Sequence, residues 1–296
     1  MKTQTQTIVN GVNVSQLFET IDNIKQNSEI AKFNFRATNK WIGGTENHTT
    51  IGDFYGACQI QRRETPHIFI KDEPELLLGK DKGANPVEYL LAGLAGCIST
   101  SLVAHAAARG VKIESLESTV EGDIDLQGLL QIDKSVNPGY QGINISFKIE
   151  SDASYEVLQE LIELAKFNFR ATNKWIGGTE NHTTVGDFYG ACQTQKRETP
   201  HTFIKDEPEL LLGKDKGANP VEYLLAGLAG CITTSLVAHA SARGVKIDSI
   251  ESTLEGDIDL QGLLQIDKSV NPGYQGINIF FKIRSDASDE VLQELI

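Results

Sequence analysis

The sequence predicts an α+β protein made of two nearly identical copies of one small domain. Three observations carry that prediction: an ungapped internal repeat, strand-like runs on both sides of one long helical segment, and no strand–helix–strand alternation. AKFNFRATNKWIGGTENHTT begins at Ala31 and returns at Ala165, 134 residues later, and the register holds to Ile162 and Ile296. Twelve positions differ between the copies: 51, 60, 62, 68, 99, 107, 114, 116, 120, 146, 150 and 155 against their partners. Similarity of that order marks a recent duplication, so agreement between copies says little about functional constraint.

Within one copy the elements follow from pattern. Ser15–Lys25 reads as an amphipathic helix with Leu17, Phe18, Ile21 and Ile24 on its buried side. β-Branched and aromatic residues predict strands over 32–41, 48–56 and 66–71. Asn85-Pro86-Val87-Glu88 is a helix start: Asn85 caps, Pro86 suits the first turn, Glu88 completes a capping box, and Gly110 supplies the stop. At 1.5 Å per residue, Pro86–Arg109 makes a helix of roughly 36 Å, long for a small domain, so other elements must wrap around it. Strands follow near 111–124 and 140–150, and a helix over 154–165. The stretch 125–140 reads as a loop with one helical turn. In Ile143–Ile149 every second residue is apolar, while Ser146 (Phe280 in copy two) and Glu150 (Arg284) fall on the alternate face, as in a strand with one buried side. No flexible linker joins the copies, which we divide as 1–164 and 165–296. Copy two is expected to use the 154–164 helix in place of the first copy's lead-in, and it stops inside its own last helix.

Composition bounds the partners. Forty percent apolar and 23% charged residues are globular values, and a formal charge of −13 argues against nucleic acid or an anionic membrane as the main partner, or else serves only solubility. MKTQTQTIVNG lacks the apolar core of a secretory signal, and the most apolar stretch, Tyr89–Ile98, is about half of what crosses a bilayer. Four cysteines without a CxxC pair predict a reducing, cytoplasmic setting, where the sequons at Asn47 and Asn181 stay unused. His48, His67, His105 and their repeats lack metal-ligand spacing. The glycines around Gly43, Gly79 and Gly83 form no phosphate loop, so neither metal nor cofactor is expected.

The long helix carries the chemistry. Leu91, Leu94, Ile98 and Leu102 gather on one face, with His105 among them, and Gly93, Gly96, Cys97, Thr100 and Ala104 on the other. A face of small residues lets a backbone or a ligand come close, and Cys97 sits at its middle, as Cys231 does in copy two. Two readings stand: an inert core cysteine, or a reactive thiol.

ANPVEYLLAGLAGCISTSLVAHAAARGVKIESLESTVEGDIDLQG closely resembles the central helix and following strand of OsmC-like proteins. NGVNVSQLFETIDNIK, FRATNKW, DFYGA and LLGKDKGANPVEYLL resemble one branch of that family, and the likeness covers nearly all of each copy. It implies a bent antiparallel sheet wrapped around a long central helix, in subunits that swap elements as dimers. Two copies in one chain would form that dimer internally, as a pseudo-dimer. It also implies thiol-dependent reduction of organic hydroperoxides through a cysteine sulfenate, in oxidative-stress defence. Cys97 and Cys231 match the reactive thiol, and Glu88 and Glu222 match the family carboxylate. The expected partners are a small-molecule hydroperoxide and a thiol reductant, with further self-association left open.

Nine residues separate Glu88 from Cys97, about 13.5 Å along the helix and on opposite sides of it. If both serve one site, Glu88 must reach Cys231 and Glu222 must reach Cys97 across the copies; otherwise Glu88 only caps its helix. Three departures from the family stand out. His48 and His182 occupy a place where relatives of this branch carry arginine, which leaves Arg36 and Arg63, or their repeats Arg170 and Arg197, as substitute cations or as plain surface and packing residues. The family segment that often holds a resolving cysteine is missing after both copies, leaving Cys58 and Cys192, either as resolving thiols or as ordinary small residues. That loss also leaves a sheet edge unpaired. The alternatives to an enzyme are a non-catalytic module that binds a small apolar ligand between the helices, and an inactive duplication product.

Overall fold

The computed structural model describes residues 7–129, 132–133, 135–163, 171–186, 188–190, 193–195 and 198–293. Copy one contributes β1 (Ile8–Val9), β2 (Val12–Asn13), α1 (Val14–Gln26), β3 (Lys32–Gly43), β4 (Glu46–Ile51), β5 (Phe54–Gly56), β6 (Gln59–Gln61), β7 (His67–Lys71), α2 (Pro86–Ala108), β8 (Ile113–Ile124), α3 (Leu126–Leu129), β9 (Tyr140–Ser151) and α4 (Tyr155–Glu163). Copy two contributes β10 (Thr172–Gly177), β11 (Glu180–Val185), β12 (Phe188–Gly190), β13 (Gln193–Gln195), β14 (His201–Lys205), α5 (Pro220–Ala242), β15 (Ile247–Asp259), α6 (Leu260–Leu263), β16 (Tyr274–Ser285) and α7 (Asp289–Gln293).

Neither large sheet belongs to one copy. One runs β16-β15-β3-β4-β7, with the β5–β6 hairpin against β3, and the other runs β14-β11-β10-β8-β9. β15 pairs antiparallel with β3 from Glu251↔Lys40 to Asp259↔Lys32, and β8 pairs with β10 from Thr119↔Thr172 to Glu117↔Lys174. Helix α5 packs on β3, β4 and β15, helix α2 packs on β8, β10 and β11, and the two helices pack on each other. The chain is therefore a strand-exchanged α+β pseudo-dimer folded from a single polypeptide.

The small face of the long helix makes that crossing possible. A Cβ added at Gly93 would lie 2.9 Å from the Pro220 carbonyl oxygen and 3.0 Å from the Leu224 amide nitrogen, so only hydrogen fits there. The capping box forms as the sequence predicts: the Glu88 amide donates to Asn85 Oδ1 at 3.0 Å, and the Asn85 amide donates to Glu88 Oε2 at 2.9 Å. Around the axis between the halves, Phe69, Tyr89, Phe203 and Tyr223 form an aromatic cluster with ring centroids 4.9–6.2 Å apart. A second core joins Val14 and Leu17 of α1 to Leu94, Ile98, Leu102 and Val103 of α2. Along β9 burial alternates and Ser146 is exposed, as the period-two pattern requires.

Four sequence expectations need correction. The run 48–56 is two strands, because the chain turns at Gly52-Asp53, where Asp53 accepts from the Arg63 amide at 3.0 Å. In α1 the buried residues are Val14, Leu17 and Ile24, while Phe18 is exposed, since the helix starts at Val14 under an Asn13 cap and its inner stripe is set by packing on α2. α4 does not stand in for the lead-in of copy two: Val157 and Leu158 pack into the core built on α2 of their own copy. An 18-residue stretch of mean hydropathy 1.6 within α2, and another within α5, makes each helix long and apolar enough to cross a bilayer by length and composition, although 67% and 50% of the respective stretches is buried inside the protein. The junction 164–170 lies outside the described residues.

Candidate functional site

Cys97 faces the opposite copy. Its residue is half-buried and lines a pocket of about 120 Å³ with Thr100, Ala104, Glu207, Leu211 and Leu264. Beside it, β14 sends the buried Lys205 across the α2 backbone. A Cβ at Gly96 would meet Lys205 Cε at 2.6 Å and Cδ at 2.7 Å, so glycine next to the thiol makes room for the lysine stem. The Lys205 ammonium donates to Thr183 Oγ1 and stands 5.6 Å from the centre of the Tyr223 ring. The chain of donors continues inward: Thr183 Oγ1 to Asn173 Oδ1 at 2.6 Å, then Asn173 Nδ2 to Ser99 Oγ on α2 at 2.8 Å. Thr183 and Asn173 thus link the Lys205 ammonium to α2.

Copy two repeats the arrangement. Lys71 donates to Thr49, Thr49 donates to Asn39 at 2.7 Å, and Asn39 donates to Thr233 on α5 at 2.8 Å, while Gly230 makes room for the Lys71 stem beside Cys231.

Burial governs the titration of these groups. It pushes the Cys97 thiol up to about 12; Glu207 adds to the rise and Lys205 opposes it. Cys231 is likewise pushed to about 12 by burial and Glu73, against Lys71. Burial pulls Lys71 down to about 7, with Cys231 as the opposing countercharge, and pulls Lys205 well below its ordinary range, opposed by Cys97. The Glu207 carboxyl rises to about 8 through burial and the nearby Glu222 and Asp206. At neutral pH each site therefore rests as a neutral thiol beside a lysine whose charged form burial disfavours, and Glu207 is mostly the neutral acid.

The family carboxylate lies one layer further out. Glu222, fully buried at the start of α5, receives Arg63 Nη1 at 2.5 Å and Nη2 at 3.0 Å from copy one, while Arg63 Nε donates to Asp215 at 3.0 Å. Burial lifts the Glu222 pKa despite Arg63. Burial works against the Arg63 charge, yet Glu222 and Asp215 more than offset it and the guanidinium is held more firmly charged. Tyr274, whose hydroxyl donates to the Val221 carbonyl at 2.8 Å, feels both Glu222 and Cys97, and Tyr140 likewise feels both Cys231 and Glu88. Each thiol and the carboxylate of the other copy thus border one shared tyrosine.

The other sequence candidates separate. Arg36 bonds the surface carboxylate of Glu255 at 2.7 Å, away from the thiols. His48 and His182 bond Glu46 and Glu180 of their own hairpins at 2.9 and 3.0 Å. Cys58 is a free thiol, exposed at the tip of the β5–β6 hairpin, where Ala57 and Cys58 both take positive φ as a two-residue turn requires. Cys192, Arg170 and Arg197 lie outside the described residues. Sequence reading missed Lys71, Lys205, Glu73 and Glu207. A signal for the lysines existed: in His67–Lys71, Lys71 shares the strand face of Phe69, which is buried.

Fold and site together define an α+β pseudo-dimer that buries one thiol per half against a lysine from the other copy. The family profile described as OsmC-like protein matches residues 79–168 and 213–296, more than half of the chain in two segments, and the chain belongs to that family. No curated protein matches it significantly. Membership supports a peroxiredoxin-like or stress-related role at the level of the family.

Proposed function

We propose that the protein reduces organic hydroperoxides with Cys97 and Cys231 in oxidative-stress defence in the cytoplasm. The observation that carries this reading is the buried lysine beside each thiol. Burial disfavours the charged form of that amine and gains nothing for the fold, and a neutral amine beside the sulfur can take the thiol proton when a peroxide arrives. In the step we envisage, Lys205 accepts the Cys97 proton and the thiolate attacks the distal oxygen of ROOH. The O–O bond breaks, the alkoxide leaves with the proton returned by Lys205, and the products are the sulfenic acid and ROH. Sulfur loses two electrons and the peroxide gains them. An external dithiol then returns the sulfenic acid to the thiol and releases water. Arg63, bound to Glu222, supports the edge of the site, and neither Glu88 nor Glu222 needs to touch sulfur.

The test is turnover of cumene hydroperoxide with a dithiol reductant. Activity that survives unchanged in the Cys97→Ser/Cys231→Ser variant sinks the reading. A second reading, a non-catalytic module that holds a small apolar molecule, draws support from the apolar lining of the pocket and the raised thiol pKa. It predicts thermal stabilisation by apolar ligands and thiols left unmodified by one equivalent of peroxide.

A further inference from the structure

We propose that α1 makes the two thiols different sites: Cys97 is closed to all but slender substrates, and Cys231 is open to bulky ones. This rests on the hydroperoxide reading for its chemistry but not for its geometry. The walls of the two sites are the same sequence. Cys97, Thr100, Ser101, Ala104 and His105 on α2 recur as Cys231, Thr234, Ser235, Ala238 and His239 on α5. Leu210–Leu212 and Leu260, which line the Cys97 pocket, recur as Leu76–Leu78 and Leu126.

What differs is the cover. Val12, Leu17 and Thr20, from α1 and the strand before it, close the Cys97 pocket, and among the described residues no helix stands over α5 in the same way. The rim records the consequence. Leu260 is 4% exposed and Leu212 is half-buried, whereas Leu126 is 40% exposed and Leu78 is 90% exposed. Ile98 is buried on α2, while its counterpart Ile232 on α5 is half-buried. A pocket of about 120 Å³ is well below the roughly 300–1,000 Å³ that drug-sized ligands occupy, so Cys97 admits a short, slender hydroperoxide and excludes a branched aromatic or long-chain one. With identical wall chemistry, α1 is the specificity-determining element, acting through Leu17 and Thr20.

Size-graded alkylation of the intact chain tests this without any peroxide. Tryptic peptides bearing Cys97 and Cys231 differ at Ser99/Thr233 and Ala107/Ser241, so mass separates them. From iodoacetamide to a pyrene maleimide, the Cys231-to-Cys97 labelling ratio is expected to rise at least tenfold, and Leu17→Ala/Thr20→Ala should lower it again. An unchanged ratio, or a Cys231 that reacts with neither reagent, overturns the proposal, and the parent protein alone decides this if the variant fails to fold. Dimedone trapping after ethyl hydroperoxide or linoleic acid hydroperoxide then separates the two claims. Sulfenate at both thiols with the first and at Cys231 alone with the second supports both. Size-graded alkylation with no sulfenate keeps the gate and removes the reductase reading.

Discussion

Replacing Lys71 with methionine is expected to stabilise the fold while it impairs the chemistry. Lys71 is fully buried, and its pKa falls from an ordinary 10.5 to about 7 because the site strips water from the ammonium. At about 1.36 kcal/mol per pH unit, that fall corresponds to roughly 5 kcal/mol against the charged form. The sign follows from proton binding. Between pH 7 and 10.5 the unfolded chain holds the Lys71 proton and the folded chain has released it, so stability rises with pH across that window. The penalty is full below pH 7 and gone above 10.5. At pH 7 it amounts to about 4 kcal/mol and at pH 9 to about 2 kcal/mol on the same scale. Methionine fills a similar volume without a charge, and such replacements of buried charges are typically neutral to about 4 kcal/mol stabilising. Lys71→Met should therefore raise the free energy of unfolding in urea by about 2–4 kcal/mol at pH 7 and by about 2 kcal/mol less at pH 9. Comparing variant and parent at one pH cancels other titrations, including that of Glu207, which lies in the opposite site. A loss of more than 1 kcal/mol at both pH values would refute the reasoning, because it would mean that the ammonium gains more from Thr49 and from the Tyr89 ring, whose centre lies 5.8 Å away, than it loses to desolvation.

Other perturbations separate structure from site. Arg63→Met strips Glu222 and Asp215 of their buried partner and should cost about 3–5 kcal/mol in urea unfolding, with part regained in Arg63→Met/Glu222→Gln. Gly93→Ala forces α2 away from α5 and should cost about 1–3 kcal/mol, whereas Gly142→Ala, with open space at its Cβ, should change the melting temperature little. Breaking the exposed Arg36–Glu255 pair with Arg36→Ala should cost under about 1 kcal/mol and leave peroxide turnover at the parental rate, since that arginine stands outside the site.

The repeat, the capped helix start, the small-residue face and the alternation along β9 were all legible in the linear chain. Each is a local rule, satisfied within a few residues of itself: Asn85 caps because Glu88 is three residues away, and Ser146 is exposed because its neighbours on both sides are apolar. The placement of the thiol on a face that another backbone approaches closely was legible for the same reason. Packing decided which residue approaches it. Lys71 and Lys205 read as ordinary strand-end lysines until the opposite copy's helix closes over them, and Glu207 becomes a neutral acid chiefly through burial, with Glu222 and Asp206 adding to it. The difference between the halves was likewise hidden. Twelve substitutions leave the walls around Cys97 and Cys231 the same, and the asymmetry comes from where α1 and α4 dock, which depends on apolar surfaces meeting across distances that no periodicity along the chain records.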